Sequence, residues 1–137
     1  MSGDEALKFV GTFSGVSIGV DLSGEWWAVA NGQRRCLRLS PAAGLVLLET
    51  NRREFQAAID AVSASRSFPF PELLYTALTS GLGFWAERGI HWLIPSDSKN
   101  ALVAEGISEL ASAKWATQEL RRRAQMLRLT FPRDGQP

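Results

Sequence analysis

The sequence predicts an α+β fold in which an N-terminal antiparallel meander of four or five strands packs against four or five C-terminal helices. Apolar and polar residues alternate with a period of two in the first part of the chain. From Asn51 onward the apolar spacing becomes helical, and glycine or proline residues separate the segments. We expect one globular domain over residues 1–137, with mainly strands in 1–49, mainly helices in 50–131 and a frayed tail in 132–137.

The strand prediction depends on an alternating segment and a hairpin signal. Small or polar residues separate the apolar side chains of Val16, Ile18, Val20 and Leu22. Asn31-Gly32 is typical of a two-residue hairpin, because a type I′ turn needs a positive φ at both positions. It predicts that residues 25–30 pair with residues 33–39, where Leu37 and Leu39 share one face. The apolar run 45–49 is predicted to be a further buried strand.

Five helices are predicted in the second part of the sequence. Asn51 and Glu54 have the spacing of a capping box, which indicates where the first helix begins. The other four are expected at about 71–79, 84–93, 99–111 and 112–129, with proline and glycine residues between most of them.

The numbers of cysteine and histidine residues limit the chemistry. Cys36 is the one cysteine and His91 the one histidine, so an internal disulfide is excluded, as is any site that needs two histidines. A zinc site usually takes three or four ligands at close spacing. We therefore expect no metal and no cofactor, and structural roles for Cys36 and His91.

Two enzyme motifs are matched without the structure that they need. Residues 15–19 read G-x-S-x-G around Ser17, but that motif requires a sharp strand-to-helix turn, and here the serine lies inside a predicted strand. Residues 81–86 match a weak dinucleotide fingerprint, yet a predicted helix precedes them where a strand is required. No close pair of carboxylates replaces these motifs, so the sequence predicts a protein that is not an enzyme. The alternative is an enzyme whose site is assembled from residues scattered along the chain.

Consecutive tryptophans indicate the first candidate binding surface. Neighbouring residues in a strand point to opposite faces, so Trp26 and Trp27 cannot both enter the same core. The outward one would lie beside Arg34 and Arg38 of the next strand. Exposed tryptophan with flanking arginine is typical of protein interfaces and also permits base stacking on single-stranded nucleic acid. The alternative is that both rings are buried.

A basic row near the C-terminus is the second candidate. Residues 113–137 carry six basic and two acidic side chains, and Lys114, Arg121 and Arg128 follow one side of the last predicted helix. Such a row can contact nucleic acid or an acidic protein. The alternative is an ordinary solvated helix face.

These observations together favour a non-enzymatic protein-binding module, such as an adaptor, an inhibitor or a toxin-neutralising immunity protein. A small nucleic-acid-binding regulator that uses the basic helix is the alternative function. The excess of arginine over lysine is typical of GC-rich bacterial genomes. With no apolar leader and no long apolar stretch, we expect a cytoplasmic protein without a membrane partner. The sequence leaves open which protein it binds and whether it forms a homo-oligomer.

Overall fold

The computed structural model describes residues 6–62 and 67–130 and shows an α+β fold, as predicted. The chain divides into two compact units, Met1–Pro69 and Phe70–Pro137. The strands lie in the first unit, together with a 3₁₀ helix and one α-helix, and the second unit is helical. The predicted frayed tail 132–137 lies outside the described residues, and the single domain stays a prediction.

Four antiparallel strands form one sheet in the order of the sequence, which confirms the predicted meander. They are β1 (Lys8–Phe13), β2 (Val16–Val20), β3 (Trp26–Ala30) and β4 (Gln33–Cys36). The predicted hairpin turn is present, with φ of 53° at Asn31 and 77° at Gly32. Both values lie in the left-handed region that a type I′ turn requires.

The inner face of the sheet forms the core of the first unit with helix α1 (Arg52–Val62). Its buried side chains include Ile18, Val20, Trp26 and Ala28. Phe55 of α1 makes edge-to-face contacts with Phe13 and Phe68, and Phe68 makes another with Trp26. Ring pairs with this geometry contribute stability beyond that gained by burying their apolar area. Asn51 caps α1 by accepting bonds from the backbone N–H groups of Arg53 and Glu54, as its sequence position predicts.

The predicted strand at 45–49 is wrong, because Pro41–Glu49 forms a 3₁₀ helix. Its buried residues include Leu47 and Leu48. A continuous apolar run has no periodicity that distinguishes a strand from a helix.

The strands β2 and β4 are shorter than predicted. Strand β2 ends at Val20 and β4 at Cys36, so Leu22 and Leu39 lie beyond them and are 89% and 71% exposed.

The second unit contains four α-helices around aliphatic side chains. They are α2 (Phe70–Leu78), α3 (Gly83–Trp92), α4 (Ala101–Ala111) and α5 (Gln118–Thr130), with a short 3₁₀ helix at Pro95–Lys99. Helix α2 contacts both α3 and α4, and α4 contacts α5. The fully buried side chains include Leu74, Leu78, Ile107 and Leu110.

The last helix begins later than predicted, at Gln118. A turn occupies 112–117, and Thr117 caps α5 through its side-chain oxygen, which accepts the backbone N–H of Leu120. The basic residue Lys114 therefore lies in this turn and not on the helix. Within 6–62 and 67–130, no helix is both long enough and apolar enough to cross a bilayer.

Candidate binding surfaces

The structure shows which tryptophan of the consecutive pair faces outward. Trp26 is 1% exposed and packs in the core, whereas Trp27 is half-buried on the opposite face of β3. Trp27 lies directly across from Gly19 of β2 and Cys36 of β4. The two rings lie on opposite faces because the side chains of neighbouring residues alternate along a strand.

Arg34 covers the ring of Trp27. Its guanidinium carbon lies 5.2 Å from the ring centroid, within the range of a cation–π contact. Arg34 pairs with Val29 in the sheet and Trp27 pairs with Cys36, so Arg34 and Trp27 are diagonal neighbours on one face. The structure thus brings together two of the residues that the sequence predicts for this surface.

Asp21 fixes the edge of the Trp27 ring. Its Oδ2 accepts a 3.0 Å hydrogen bond from the indole Nε1–H, and its Oδ1 accepts bonds from the backbone N–H groups of Ser23 and Glu25 and from the Ser23 hydroxyl. Desolvation raises the pKa of Asp21, but the hydrogen bonds from Trp27, Ser23 and Glu25 outweigh it and lower the pKa to about 2. The ring is therefore held by an ionised carboxylate at neutral pH.

Arg38 pairs with Glu25, which belongs to the loop 21–25 between β2 and β3. Its Nη2 lies 3.1 Å from Oε1 of Glu25, and the side chain of Arg38 is 50% exposed. An exposed pair of this kind contributes little stability, about 0–1 kcal/mol. Glu25 also bonds to Asp21 through its backbone, so the loop 21–25 links Arg38 to the residue that orients Trp27.

Phe9 extends this surface, and the sequence analysis missed it. A β-bulge between Phe9 and Gly11 shifts the register of β1, so Phe9 pairs with Gly19 on the outer face while Phe13 enters the core. Phe9 is 53% exposed, and its ring lies only 3.1 Å from the position that a Cβ on Gly19 would occupy. We name the surface formed by Phe9, Gly19, Trp27, Arg34 and Cys36 the Trp27 face.

The basic row does not form one surface of equivalent side chains. Nη1 of Arg121 donates to the backbone carbonyl oxygens of Ala113, at 3.2 Å, and Ala116. Lys114 and Arg128 are exposed, Lys114 in the turn and Arg128 near the end of α5. The Arg121 side chain therefore stabilises the turn before α5, a structural role that the sequence pattern did not indicate.

The structure places Ser17 of the first enzyme motif in β2 and the one histidine, His91, in α3. Ser17 lies within β2, and its hydroxyl oxygen is 2.9 Å from that of Thr12 on the neighbouring strand. His91 is an exposed residue of α3. In the described part of the chain, no three His, Cys, Asp or Glu side chains converge as metal ligands.

The chain was compared with known protein families, curated proteins and solved structures. No protein-family model, curated protein or solved structure matches the chain.

Proposed function

We propose that this protein is a non-enzymatic protein-binding module and that the Trp27 face is its contact surface. The observation that carries the proposal is the fixed position of Trp27, between the Asp21 carboxylate and the Arg34 guanidinium. Tryptophan and arginine are enriched among residues that dominate binding energy at protein interfaces. An adaptor, inhibitor or immunity protein of the bacterial cytoplasm is the kind of module that we infer.

Preorganisation of Trp27 supports this proposal energetically. A side chain that is immobilised on binding costs about 0.5–1.5 kcal/mol of affinity. The indole N–H bond and the covering guanidinium already restrict the ring before a partner arrives. The partner therefore gains contact with a large aromatic ring at a reduced entropic cost.

The composition of the Trp27 face indicates the chemistry of its partner. Phe9 and Trp27 offer apolar area, and Arg34 places a positive charge beside the ring. An apolar segment flanked by a carboxylate is complementary to this arrangement. Such a partner would contact the outer face of β1, β3 and β4.

Neighbouring arginines on opposite faces of β4 provide a matched test. Arg34 lies on the Trp27 face, whereas Arg35 pairs with Ala28, points to the other side and bonds to Gln33. We expect Arg34→Ala to reduce partner capture at least tenfold and Arg35→Ala to leave it within about twofold. The measurement is nuclease-treated affinity capture from host lysate with quantitative mass spectrometry, followed by calorimetric titration of the purified partner.

The same capture separates the alternatives. A protein retained equally by the wild-type chain and Arg34→Ala would overturn the Trp27 face as the contact surface. Recovery of nucleic acid alone, lost after nuclease treatment, would instead support a regulator that binds through its basic residues. In that case binding should weaken steeply with salt and depend on Arg128.

A further inference from the structure

A groove of about 270 Å³ lies in the second unit, between α2, the end of α4 and the turn that precedes α5. It is separate from the Trp27 face, which belongs to the sheet of the first unit. Its lining residues are Leu78, Thr79, Glu109, Ser112, Ala113 and Trp115. An aromatic ring, hydroxyl groups and one carboxylate thus share a single concave surface.

Trp115 forms an aromatic wall of the groove and is 40% exposed. The turn that carries it is held on both sides, because Arg121 donates to the carbonyl oxygens of Ala113 and Ala116. Gln125 adds a 3.2 Å bond to the carbonyl oxygen of Ala111, at the end of α4. These bonds fix the backbone around the ring, so the wall exists before any ligand binds.

Glu109 supplies the only ionisable side chain among the lining residues. Its Oε2 accepts a 2.7 Å hydrogen bond from the hydroxyl of Tyr75 on α2. This bond, with desolvation and the negative charges of Glu109 and Glu105, raises the pKa of Tyr75. The hydroxyl therefore stays protonated and holds the carboxylate in place, while each carboxylate oxygen can accept more than one bond.

The size of the groove suits a ligand group smaller than a typical drug-sized molecule. Pockets for drug-sized ligands measure roughly 300–1,000 Å³ and enclose most of the ligand. At about 270 Å³, this groove is smaller and open to solvent. It suits the head group of one residue from an extended polypeptide better than a free cofactor.

We propose that this groove binds an arginine side chain of a partner polypeptide. A guanidinium stacks on a tryptophan ring and donates two parallel hydrogen bonds to a carboxylate, and a planar fork does both better than a lysine ammonium. Trp115 and Glu109 provide these two elements, and Thr79 and Ser112 line the same groove while their hydroxyls donate to the backbone carbonyl oxygens of Tyr75 and Ser108. The charge of Glu109 is complementary to that of the guanidinium.

The experiment is a titration of the full chain, labelled with ¹⁵N, with acetyl-arginine amide. Its readout is the indole N–H resonance of Trp115, assigned by its loss in Trp115→Phe. We expect a saturable shift of that resonance, and no saturable shift with acetyl-citrulline amide, which has a similar shape but no charge. Glu109→Gln should weaken binding at least tenfold, because the amide keeps an acceptor for Tyr75 but loses the charge.

Glu119→Gln is the matched control, since Glu119 is an exposed glutamate of α5 whose ion pair is with Arg122, outside the groove lining. It should bind acetyl-arginine amide within twofold of the wild-type chain. Equal shifts with arginine and citrulline, an unsaturable response, or unchanged binding in Glu109→Gln would each overturn the proposal. These readouts do not depend on the Trp27 face, so they distinguish the two proposals.

Discussion

Asp21 shows how one side chain can organise both a loop and the aromatic ring beside it. It closes the loop after β2 by accepting backbone bonds from Ser23 and Glu25, and it accepts the indole N–H of Trp27 with its other oxygen. A short turn is thereby joined to an outward aromatic ring. Because the acceptor is ionised, the hydrogen bonds are stronger than those between neutral groups.

We expect Asp21 to make the stability of the protein dependent on acid pH. Its folded pKa of about 2 is lower than the ordinary value of 3.8. The resulting stabilisation is fully present above pH 3.8 and is lost as the pH falls toward 2. After allowance for partial exposure of the carboxylate, it amounts to about 1–2 kcal/mol.

Urea unfolding between pH 7 and pH 2 tests this expectation in the wild-type chain and in Asp21→Asn. The variant should be less stable at pH 7, since one acceptor oxygen becomes an amide donor, and the difference should shrink below pH 3. A constant difference across the whole range would show that the charge of Asp21 contributes nothing.

The residues of the candidate site were predictable where a local rule applies. Alternation along β3 predicts that one of Trp26 and Trp27 faces outward, but it does not say which. That choice depends on the pairing of β3 with β2 and on the aromatic contact between Trp26 and Phe68. Arg121 could not be assigned from the sequence, because its bonds to the turn carbonyls depend on where α5 begins.

Among the elements, α2 is packed closely because its two partner helices have glycines at the contacts. A Cβ at Gly89 of α3 would lie 3.1 Å from the Cβ of Ala77, and one at Gly106 of α4 would lie 3.2 Å from Cδ1 of Tyr75. Glycine weakens a helix by about 1 kcal/mol relative to alanine. The two glycines therefore allow α3 and α4 to approach α2 closely, but they lower the helix propensity of α3 and α4.

Gly89→Ala should destabilise the protein by about 1–2 kcal/mol. Its nearest neighbour is the Cβ of Ala77, which cannot rotate away, so α2 and α3 must separate. Gly83→Ala is the control, since its new Cβ would meet Leu120 at an ordinary 3.6 Å. The control should be neutral or stabilising by up to about 1 kcal/mol.

Thermal and urea unfolding of the two variants measure this difference. Similar stabilities for Gly89→Ala and Gly83→Ala would show that the contact between α2 and α3 adapts to the added methyl group.

Element boundaries were predicted best where caps or turn residues define them. Asn51 and Asn31-Gly32 act through local hydrogen bonds and dihedral angles, and the structure confirms both. The β-bulge after Phe9 inserts a residue into the pairing, so Phe9 and Phe13 lie on opposite faces although residues four apart in a regular strand share one. The run 45–49 has neither a cap nor a period, which explains why its 3₁₀ helix was missed.

At the scale of the whole chain, the two compact units differ in the chemistry of their cores. The first has an aromatic cluster of Trp26, Phe55 and Phe68 in its core, whereas the buried residues of the second are mainly leucine, isoleucine and alanine. Composition gives the number of aromatic residues but not their clustering, which depends on contacts between Phe68 and residues distant in sequence. The division into two units was likewise not apparent from any linker.

Phe55→Leu tests the aromatic core of the first unit. Phe55 is fully buried and makes two edge-to-face contacts, each contributing about 0.5–1.5 kcal/mol beyond burial. We expect a loss of about 1–3 kcal/mol in the free energy of unfolding. Amide hydrogen exchange should become faster throughout β1 to β4.

Phe9→Leu is the control, because it makes the same substitution at an exposed position of the same unit. Its effect on stability should stay within about 0.5 kcal/mol. Equal losses in the two variants would show that the buried aromatic contacts contribute no more than an exposed ring.

Cys36 also provides a thiol for chemical labelling on the Trp27 face. The sequence has one cysteine, and its pairing across from Trp27 places the thiol on the same face of the sheet as that ring. A fluorophore or spin label attached to the natural chain would therefore carry its signal to the proposed interface without an engineered attachment point.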